Sequence, residues 1–192
     1  MTRLFTRAAT AALTALTLAL AACSNPLDTA RYTIDPEPAT KSLPNRLGQA
    51  ELREVSLPQY ASGQEITWKD ADGALRSTPK EIWADDPPRA VTLALAREIS
   101  AVSGATVIAE PWPLSGGPDR RIEVRVEQFL ATDRGAVRLS GSYYVSPVMG
   151  AGGDTVRRFD ITVPLAGEGA GAIAQAQSQA LAQLASQIAA LR

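Results

Sequence analysis

The sequence predicts a single domain of mixed α/β class, α+β-like, in which two long helices pack on a largely antiparallel mixed sheet. Three segments in the second half alternate apolar and polar residues, the pattern of half-buried strands: 122–126, 137–145 and 159–163. Two longer segments, one after Asp86 and one after Gly169, carry apolar residues at helical spacing. Because each helix has an apolar stripe to bury, both must pack on the sheet.

Residues 1–22 are predicted to be an export signal. Arg3 and Arg7 are the only charged residues before position 28, and an apolar run follows from residue 8 to residue 22. A basic start, a short apolar stretch and small residues at its end are typical of a signal peptide. The run of 15 residues is shorter than the approximately 20 that a membrane-spanning helix needs.

The end of this run, Leu20-Ala21-Ala22-Cys23, resembles the lipobox of bacterial lipoproteins. The resemblance implies that Cys23 takes a diacylglycerol, that the chain is cut before it, and that the new amine is acylated, with palmitate as the expected acyl group. Ordinary signal cleavage beside an incidental cysteine is the alternative, but Cys23 is the only cysteine in the chain. Several acyl chains give firm anchoring, whereas one chain binds a bilayer marginally.

The signal and lipobox define the predicted organisation: a signal peptide at 1–22, a lipidated N-terminus and tether at 23–30, and a single periplasmic α/β domain at 31–192. In lipoproteins of this kind an aspartate after the cysteine favours retention at the inner membrane. Ser24 stands there, which indicates a periplasm-facing protein anchored in the outer membrane.

Composition argues against several function classes. Two of the 19 basic residues lie in the signal, so 17 remain against 20 acidic ones, a net charge of −3 that does not favour nucleic acid. The chain has no histidine, and lipidation would consume its one thiol, so we predict no metal site and no cofactor. A hydrolase is the weakest alternative, because a serine nucleophile would depend on one of only three lysines as its base.

The first half predicts short strands and one helix. Strands are expected at 31–34, 50–57, 65–69, 74–77 and 106–109, the third and fourth forming a hairpin around Asp70-Ala71-Asp72-Gly73. The competing interpretation of that turn, a calcium loop, lacks the third ligand and has its glycine at the wrong position. Asp85-Asp86-Pro87 is a typical helix start and Gly104 a typical end.

The second half ends in a long loop and a long helix. The glycine-rich segment 147–154 is expected to be a hairpin loop, with contact to a partner left open. The final helix places Ile173, Leu181, Leu184, Ile188 and Leu191 on one face and carries no charge between Glu168 and Arg192. That uncharged surface either packs inside the domain or meets a neighbouring subunit.

Several segments, taken in order, resemble one family, the PqiC-type lipoproteins, also called the ABC-type transport auxiliary lipoprotein component. After the lipidated cysteine the matching segments are Tyr32-Thr33-Ile34, Leu57-Pro58-Gln59-Tyr60, residues 64–69, Trp83-Ala84-Asp85-Asp86-Pro87, Pro111-Trp112, residues 121–129, Ala180-Leu181-Ala182 and Leu184-Ala185. Many members carry an Asp-Arg-Pro-like segment after the tyrosine, where this chain has Ala61-Ser62-Gly63-Gln64.

The resemblance implies a membrane-anchored, non-catalytic subunit of an MCE/ABC-type intermembrane lipid transport system with a role in membrane integrity. Its expected partners are an MCE-domain periplasmic protein, whose conduit it would dock or receive at the outer membrane, and the inner-membrane components of that system. Members are also expected to assemble as homo-oligomeric rings. A structural envelope lipoprotein that acts as a scaffold without handling lipid is the alternative.

Three aromatic residues at segment ends, Tyr60, Trp83 and Trp112, are candidate contacts for a partner or a lipid tail, because aromatic side chains are enriched at interfaces. Packing in the domain core is the competing interpretation.

Overall fold

A computed structural model describes residues 28–37, 42–149 and 152–191. The signal peptide, the lipobox and Cys23 lie outside the described residues, and Arg31–Arg192 forms one compact unit. In the described part of the chain no helix is both long enough and apolar enough to cross a membrane.

The described residues contain nine strands and three helices. The strands are β1 (Ala30–Tyr32), β2 (Gln49–Leu52), β3 (Trp68–Lys69), β4 (Leu75–Arg76), β5 (Glu81–Trp83), β6 (Thr106–Ala109), β7 (Arg120–Thr132), β8 (Ala136–Pro147) and β9 (Thr155–Pro164). The helices are α1 (Gln59–Ser62), α2 (Pro87–Ser103) and α3 (Gly169–Ala189). Two long helices and a mixed sheet confirm the predicted fold class.

Strand β7 organises the seven-stranded sheet. Along one side it pairs antiparallel with β8, which pairs antiparallel with β9. Along its other side it pairs in parallel with β2 near its start and with β3 near its end, and β2 pairs in parallel with β6. Strand β4 continues the sheet beyond β3, while β1 and β5 form a separate two-stranded sheet.

Helix α2 begins and ends as its sequence predicts. The Asp86 carboxylate caps α2 by accepting a hydrogen bond from the Arg89 N–H, and Gly104 ends that helix in the left-handed region at φ +66°. Helix α3 packs against β7, β8 and β9, and α2 packs against α3 and β6. The core between helices and sheet includes Leu95, Ile122, Leu139, Ile161 and Leu184.

Glycine is required at the centre of the sheet, where β7 bulges. The register between β7 and β8 shifts between Val126 and Gln128, which leaves Glu127 as the extra residue. Opposite this bulge, a Cβ on Gly141 would lie 2.1 Å from the Arg125 carbonyl oxygen. The strands approach so closely here that only glycine fits.

Several predicted boundaries were wrong in detail. The strand expected at 50–57 is regular only to Leu52, and the chain then follows β7 irregularly through a bridge at Ser56. The strand expected at 65–69 is confined to Trp68–Lys69. Strand β5 and the single turn α1 were not predicted, and Leu191 lies beyond the end of α3.

Candidate contact surfaces

The strand directions give the domain two distinct ends. One end holds the β7–β8 turn and the start of α3, since the Leu165 N–H donates to the Gly135 carbonyl at 2.9 Å. The chain also enters here, because a Cβ on Gly171 would lie 3.5 Å from the Tyr32 ring. We call this the entry end. The β8–β9 loop lies at the opposite end, which we call the hairpin end.

A groove of about 420 Å³ opens at the entry end. Its apolar lining comes from β3, β7, the segment after β9 and the first turns of α3: Trp68, Ala131, Leu165, Ala170 and Ile173. Three of these are buried, while Trp68 and Leu165 are half-buried. We call this cavity the entry groove. Its lining residues are up to about a hundred positions apart in the sequence, so only the folded domain brings them together.

Three ionisable side chains border the entry groove: Lys69, Glu81 and Glu168. Among the described residues none of the three takes part in a side-chain ion pair within 4.0 Å. Glu168 is the residue preceding α3, and its side chain makes no capping hydrogen bond. The rim therefore carries one cationic and two anionic groups that are free to meet a ligand.

The hairpin end presents apolar side chains to solvent. Met149 is 82% exposed and Val156 is 55% exposed, and residues 150 and 151 lie outside the described residues. The base of the loop is fixed, because the Val148 N–H donates to the Asp119 carbonyl at 3.0 Å. Further along β9, Arg157 lies opposite Tyr143 of β8, donates to the Val156 carbonyl and has no carboxylate partner among the described residues.

Tyr60 bridges a gap in the sheet. Its Oη accepts a hydrogen bond from the Phe129 N–H at 3.2 Å, at a point where neither β2 nor β3 pairs with β7. Burial raises the pKa of Tyr60, and the hydrogen bond from Phe129 opposes that shift. The phenol therefore supplies the hydrogen-bond acceptor that the Phe129 N–H of the sheet needs. Tyr60 also borders a shallow surface depression with Leu75 and Leu130.

Trp83 is a core residue that also lines a small cavity. The residue is 5% exposed, and its backbone N–H donates to the Gln64 carbonyl at 2.8 Å. With Tyr32 and Leu93 it borders a cavity of about 190 Å³, and Leu93 is 44% exposed.

Trp112 lies in the loop between β6 and β7. Its Nε1–H donates to the Gly116 carbonyl at 2.5 Å, and its backbone N–H donates to Glu51 Oε1 at 3.1 Å. Glu51, 8% exposed, also binds Arg121 at 3.0 Å. The three predicted aromatics thus occupy three separate places, and their contact with a partner or lipid stays a prediction.

The sheet face opposite the helices carries a ladder of ion pairs. Arg138 binds Asp160 at 2.6 Å and Arg158 binds Glu127 at 2.9 Å. The hydrogen bond from Arg138 lowers the pKa of Asp160. Because these arginines face carboxylates, this surface alternates in charge.

The carboxylates that suggested a calcium loop are engaged in a hairpin turn. Arg76 binds Asp70 at 2.5 Å and Asp72 at 2.6 Å, and the Ala74 N–H donates to Asp72. Strands β3 and β4 pair antiparallel on either side, so the predicted hairpin is confirmed. Across the described ranges, no group of three or more Cys, Asp or Glu side chains is placed to hold a metal ion.

Solved structures share this fold. A crystal structure of an uncharacterised protein matches with a TM-score of 0.64 at 22% identity, over 79% of this chain and 97% of that one. Protein XCC0632 from Xanthomonas campestris, assigned to DUF330, matches with a TM-score of 0.60 at 18% identity, over 83% and 89%. The dodecameric PelC from Paraburkholderia phytofirmans is more distant, with a TM-score of 0.44 at 11% identity, over 80% and 96%.

A search among curated proteins gives no match. The family model of the ABC-type transport auxiliary lipoprotein component matches residues 32–189, nearly the whole domain. This match confirms the resemblance carried by the ordered sequence segments. The chain therefore belongs to the family of ABC-type transport auxiliary lipoprotein components.

Proposed function

We propose that this protein is the outer-membrane-anchored, non-catalytic lipoprotein subunit of an MCE/ABC-type intermembrane lipid transport system, where it docks or receives the periplasm-spanning conduit. The observation that carries the proposal is the family match over residues 32–189, since a transport auxiliary component implies a transporter partner. The lipobox at Cys23 and the Ser24 after it support anchoring in the outer membrane.

The two ends of the domain suggest how the subunit is oriented. Nine peptide units separate Cys23 from Tyr32, so the tether spans at most about 30 Å. A lipidated Cys23 therefore keeps the entry end within reach of the membrane, and the hairpin end is available to a periplasmic partner.

We assign docking to the hairpin end. Met149 is the most exposed of the large apolar side chains in the described residues, and Val156 of β9 is the next most exposed. Exposed apolar side chains at the tip of a domain fit a socket with an apolar floor.

Affinity capture tests the proposal. The tagged, lipidated protein is extracted from membranes with mild detergent, and the co-purifying proteins are identified by mass spectrometry. We expect an MCE-domain protein. If the folded wild type in the outer membrane never captures one, the transport role is wrong and a scaffold that handles no lipid becomes the better description.

A matched pair of variants tests the docking surface. Met149→Asp places a charge at the apolar tip and should reduce recovery of the MCE protein at least about tenfold, the effect of roughly 1.4 kcal/mol. Leu75→Asp changes a similarly apolar residue, 47% exposed, in the β3–β4 hairpin and should not affect recovery. Equal recovery with both variants would show that docking uses another surface.

Assembly as a homo-oligomeric ring is the remaining part of the proposal. The exposed edge of α3 is uncharged and carries glutamines at four-residue spacing, Gln175, Gln179, Gln183 and Gln187, so two copies would approach there without charge repulsion. Native mass spectrometry of the captured protein should give a multiple of the subunit mass, and a purely monomeric species would contradict this part.

A further inference from the structure

We propose that the entry groove binds an acyl chain of a membrane phospholipid whose headgroup is zwitterionic. This inference deepens the proposed function and rests on it, because it gives the anchored subunit a direct contact with lipid. It is carried by three observations: the lining of the groove, the charges at its rim, and its position beside the point where the tether enters the domain.

The shape and lining suit a hydrocarbon chain. A volume of about 420 Å³ falls within the range of ligand clefts, about 300–1,000 Å³. Helix α3 contributes the buried residues Ala170 and Ile173, 3% and 6% exposed, and the half-buried Trp68 and Leu165 complete the apolar lining. Burying methylene groups against such a surface is favourable and depends on no hydrogen bond. A flexible acyl chain, which has no hydrogen-bonding groups, can therefore bind there.

The rim selects among lipids. A free fatty acid or an anionic phospholipid would bring a negative charge towards Glu81 and Glu168, which outnumber the single cation Lys69. A headgroup that joins a phosphate to an ammonium group matches both signs, with the phosphate towards Lys69 and the ammonium towards the carboxylates. Phosphatidylethanolamine has this chemistry.

The position of the groove brings it within reach of membrane lipid. Glu81 of the rim belongs to β5, which pairs with β1, the strand that follows the predicted tether. Tyr32 at the end of β1 lies over Gly171, in the first turn of α3 beside the groove. With Cys23 in the bilayer, the tether limits the distance from this end to the membrane surface to about 30 Å.

Photocrosslinking of the full-length lipidated protein tests the proposal. Benzoylphenylalanine replaces Leu165, and the protein is inserted into vesicles of phosphatidylethanolamine and phosphatidylglycerol with deuterated acyl chains. After illumination, mass spectrometry identifies what is attached to the peptide that contains position 165. Deuterium separates vesicle lipid from the acyl chains that the protein itself carries on Cys23.

Two glycines provide a blocking variant and its control. A Cβ on Gly167 meets no atom within 4 Å, so Gly167→Phe adds a side chain at the lining of the groove without a backbone clash. Gly117 is equally open but lies in the loop between β6 and β7, so Gly117→Phe is the matched control. Thermal unfolding of both variants checks that the fold is retained.

We expect an adduct of deuterated phosphatidylethanolamine at position 165. Gly167→Phe should reduce it roughly tenfold or more, since each displaced methylene is worth about fourfold in binding. Gly117→Phe should leave it unchanged. An adduct no stronger than that obtained with the photoreactive residue at Leu114, or an undeuterated adduct from the Cys23 acyl chains, would overturn the proposal. Preference for phosphatidylglycerol would overturn the headgroup assignment.

The outcomes also separate this inference from the proposed function. A wild-type protein that captures the MCE partner but gives no lipid adduct refutes the groove alone. A protein that gives the adduct but never captures an MCE protein refutes the transport assignment and leaves the groove as a lipid site of a different system.

Discussion

Replacement of Gly141 by alanine should strongly destabilise the domain, because no other side chain fits between the central strands. The added Cβ would lie 2.1 Å from the Arg125 carbonyl oxygen, 2.9 Å from Phe159 Cζ and 3.0 Å from Val126 Cα. Two of these atoms belong to the backbone of β7 at its bulge, so rotation of a side chain cannot relieve the clash.

The cost follows from the shift that the strands must make. An ordinary contact is 3.4–4 Å, so β7 and β8 must separate by more than 1 Å at this point. Losing about two ladder hydrogen bonds costs roughly 1–3 kcal/mol, and overpacking against Phe159 costs about 1–3 kcal/mol more. A total of about 2–6 kcal/mol is a large part of the 5–15 kcal/mol typical of a folded domain.

The assay is thermal and urea unfolding of the full-length protein in detergent, with circular dichroism as the signal. The unfolding midpoint should fall by about 4–24 °C for a domain of this size. Gly117→Ala, where a Cβ meets nothing within 4 Å, is the control and should change little. A loss below about 1 kcal/mol for Gly141→Ala would refute the argument and show that the bulge can relax.

Three further substitutions test buried and exposed polar groups. Tyr60→Phe should lower the unfolding free energy by about 1–3 kcal/mol, because the Phe129 N–H loses its acceptor. Burial raises the pKa of Tyr60, so the stability that its phenol contributes should be present below pH 10.0 and disappear as the pH rises through the folded-state pKa. Unfolding measured at alkaline pH tests this dependence. Glu98 is 3% exposed, and its Oε2 has no hydrogen-bond partner in the described part of the chain. Glu98→Met should therefore raise the unfolding free energy by about 1–3 kcal/mol. A lower unfolding free energy measured with urea would contradict this. Asp160→Asn should have a small, salt-sensitive effect that is present above pH 3.8 and vanishes as pH falls through the lowered pKa, and a salt-independent loss would contradict the exposed ion pair with Arg138.

The long elements could be predicted because their signals are local. Alternation over 122–126, 137–145 and 159–163 identified β7, β8 and β9, and Asp86 and Gly104 marked the ends of α2. A strand of ten or more residues repeats its pattern often enough to be recognised without its partners.

Short elements depend on partners that local patterns do not reveal. Strand β5 has three residues and forms through its pairing with β1 and a bridge between Ile82 and Glu65. The parallel neighbours of β7 arrive from distant parts of the chain. The consecutive polar residues Glu127 and Gln128 interrupt the alternation, and that interruption is the one local sign of the bulge.

The candidate surfaces were harder to predict than the fold. Aromatic residues at segment ends drew attention to Tyr60, whose phenol satisfies a backbone N–H, while the entry groove is lined largely by small and aliphatic residues that look like ordinary core. The sequence around Met149 only weakly indicates that its side chain is exposed: it is a large apolar residue within a glycine-rich segment. Charged side chains such as Lys69, which has no ion pair among the described residues, become informative only once their neighbours in space are known.

The separation of the two ends makes the proposals independently testable. Strand β8 has 12 residues and joins the end with the entry groove to the end with Met149, so the two sites lie about 35–40 Å apart. Sites so distant that share no partners usually contribute additively. Met149→Asp should therefore lower capture of the MCE protein without changing the lipid adduct, and Gly167→Phe should do the reverse. If either variant affected both measurements, the groove and the docking surface would be coupled, and binding of the partner would then have to change the end of the domain that meets lipid.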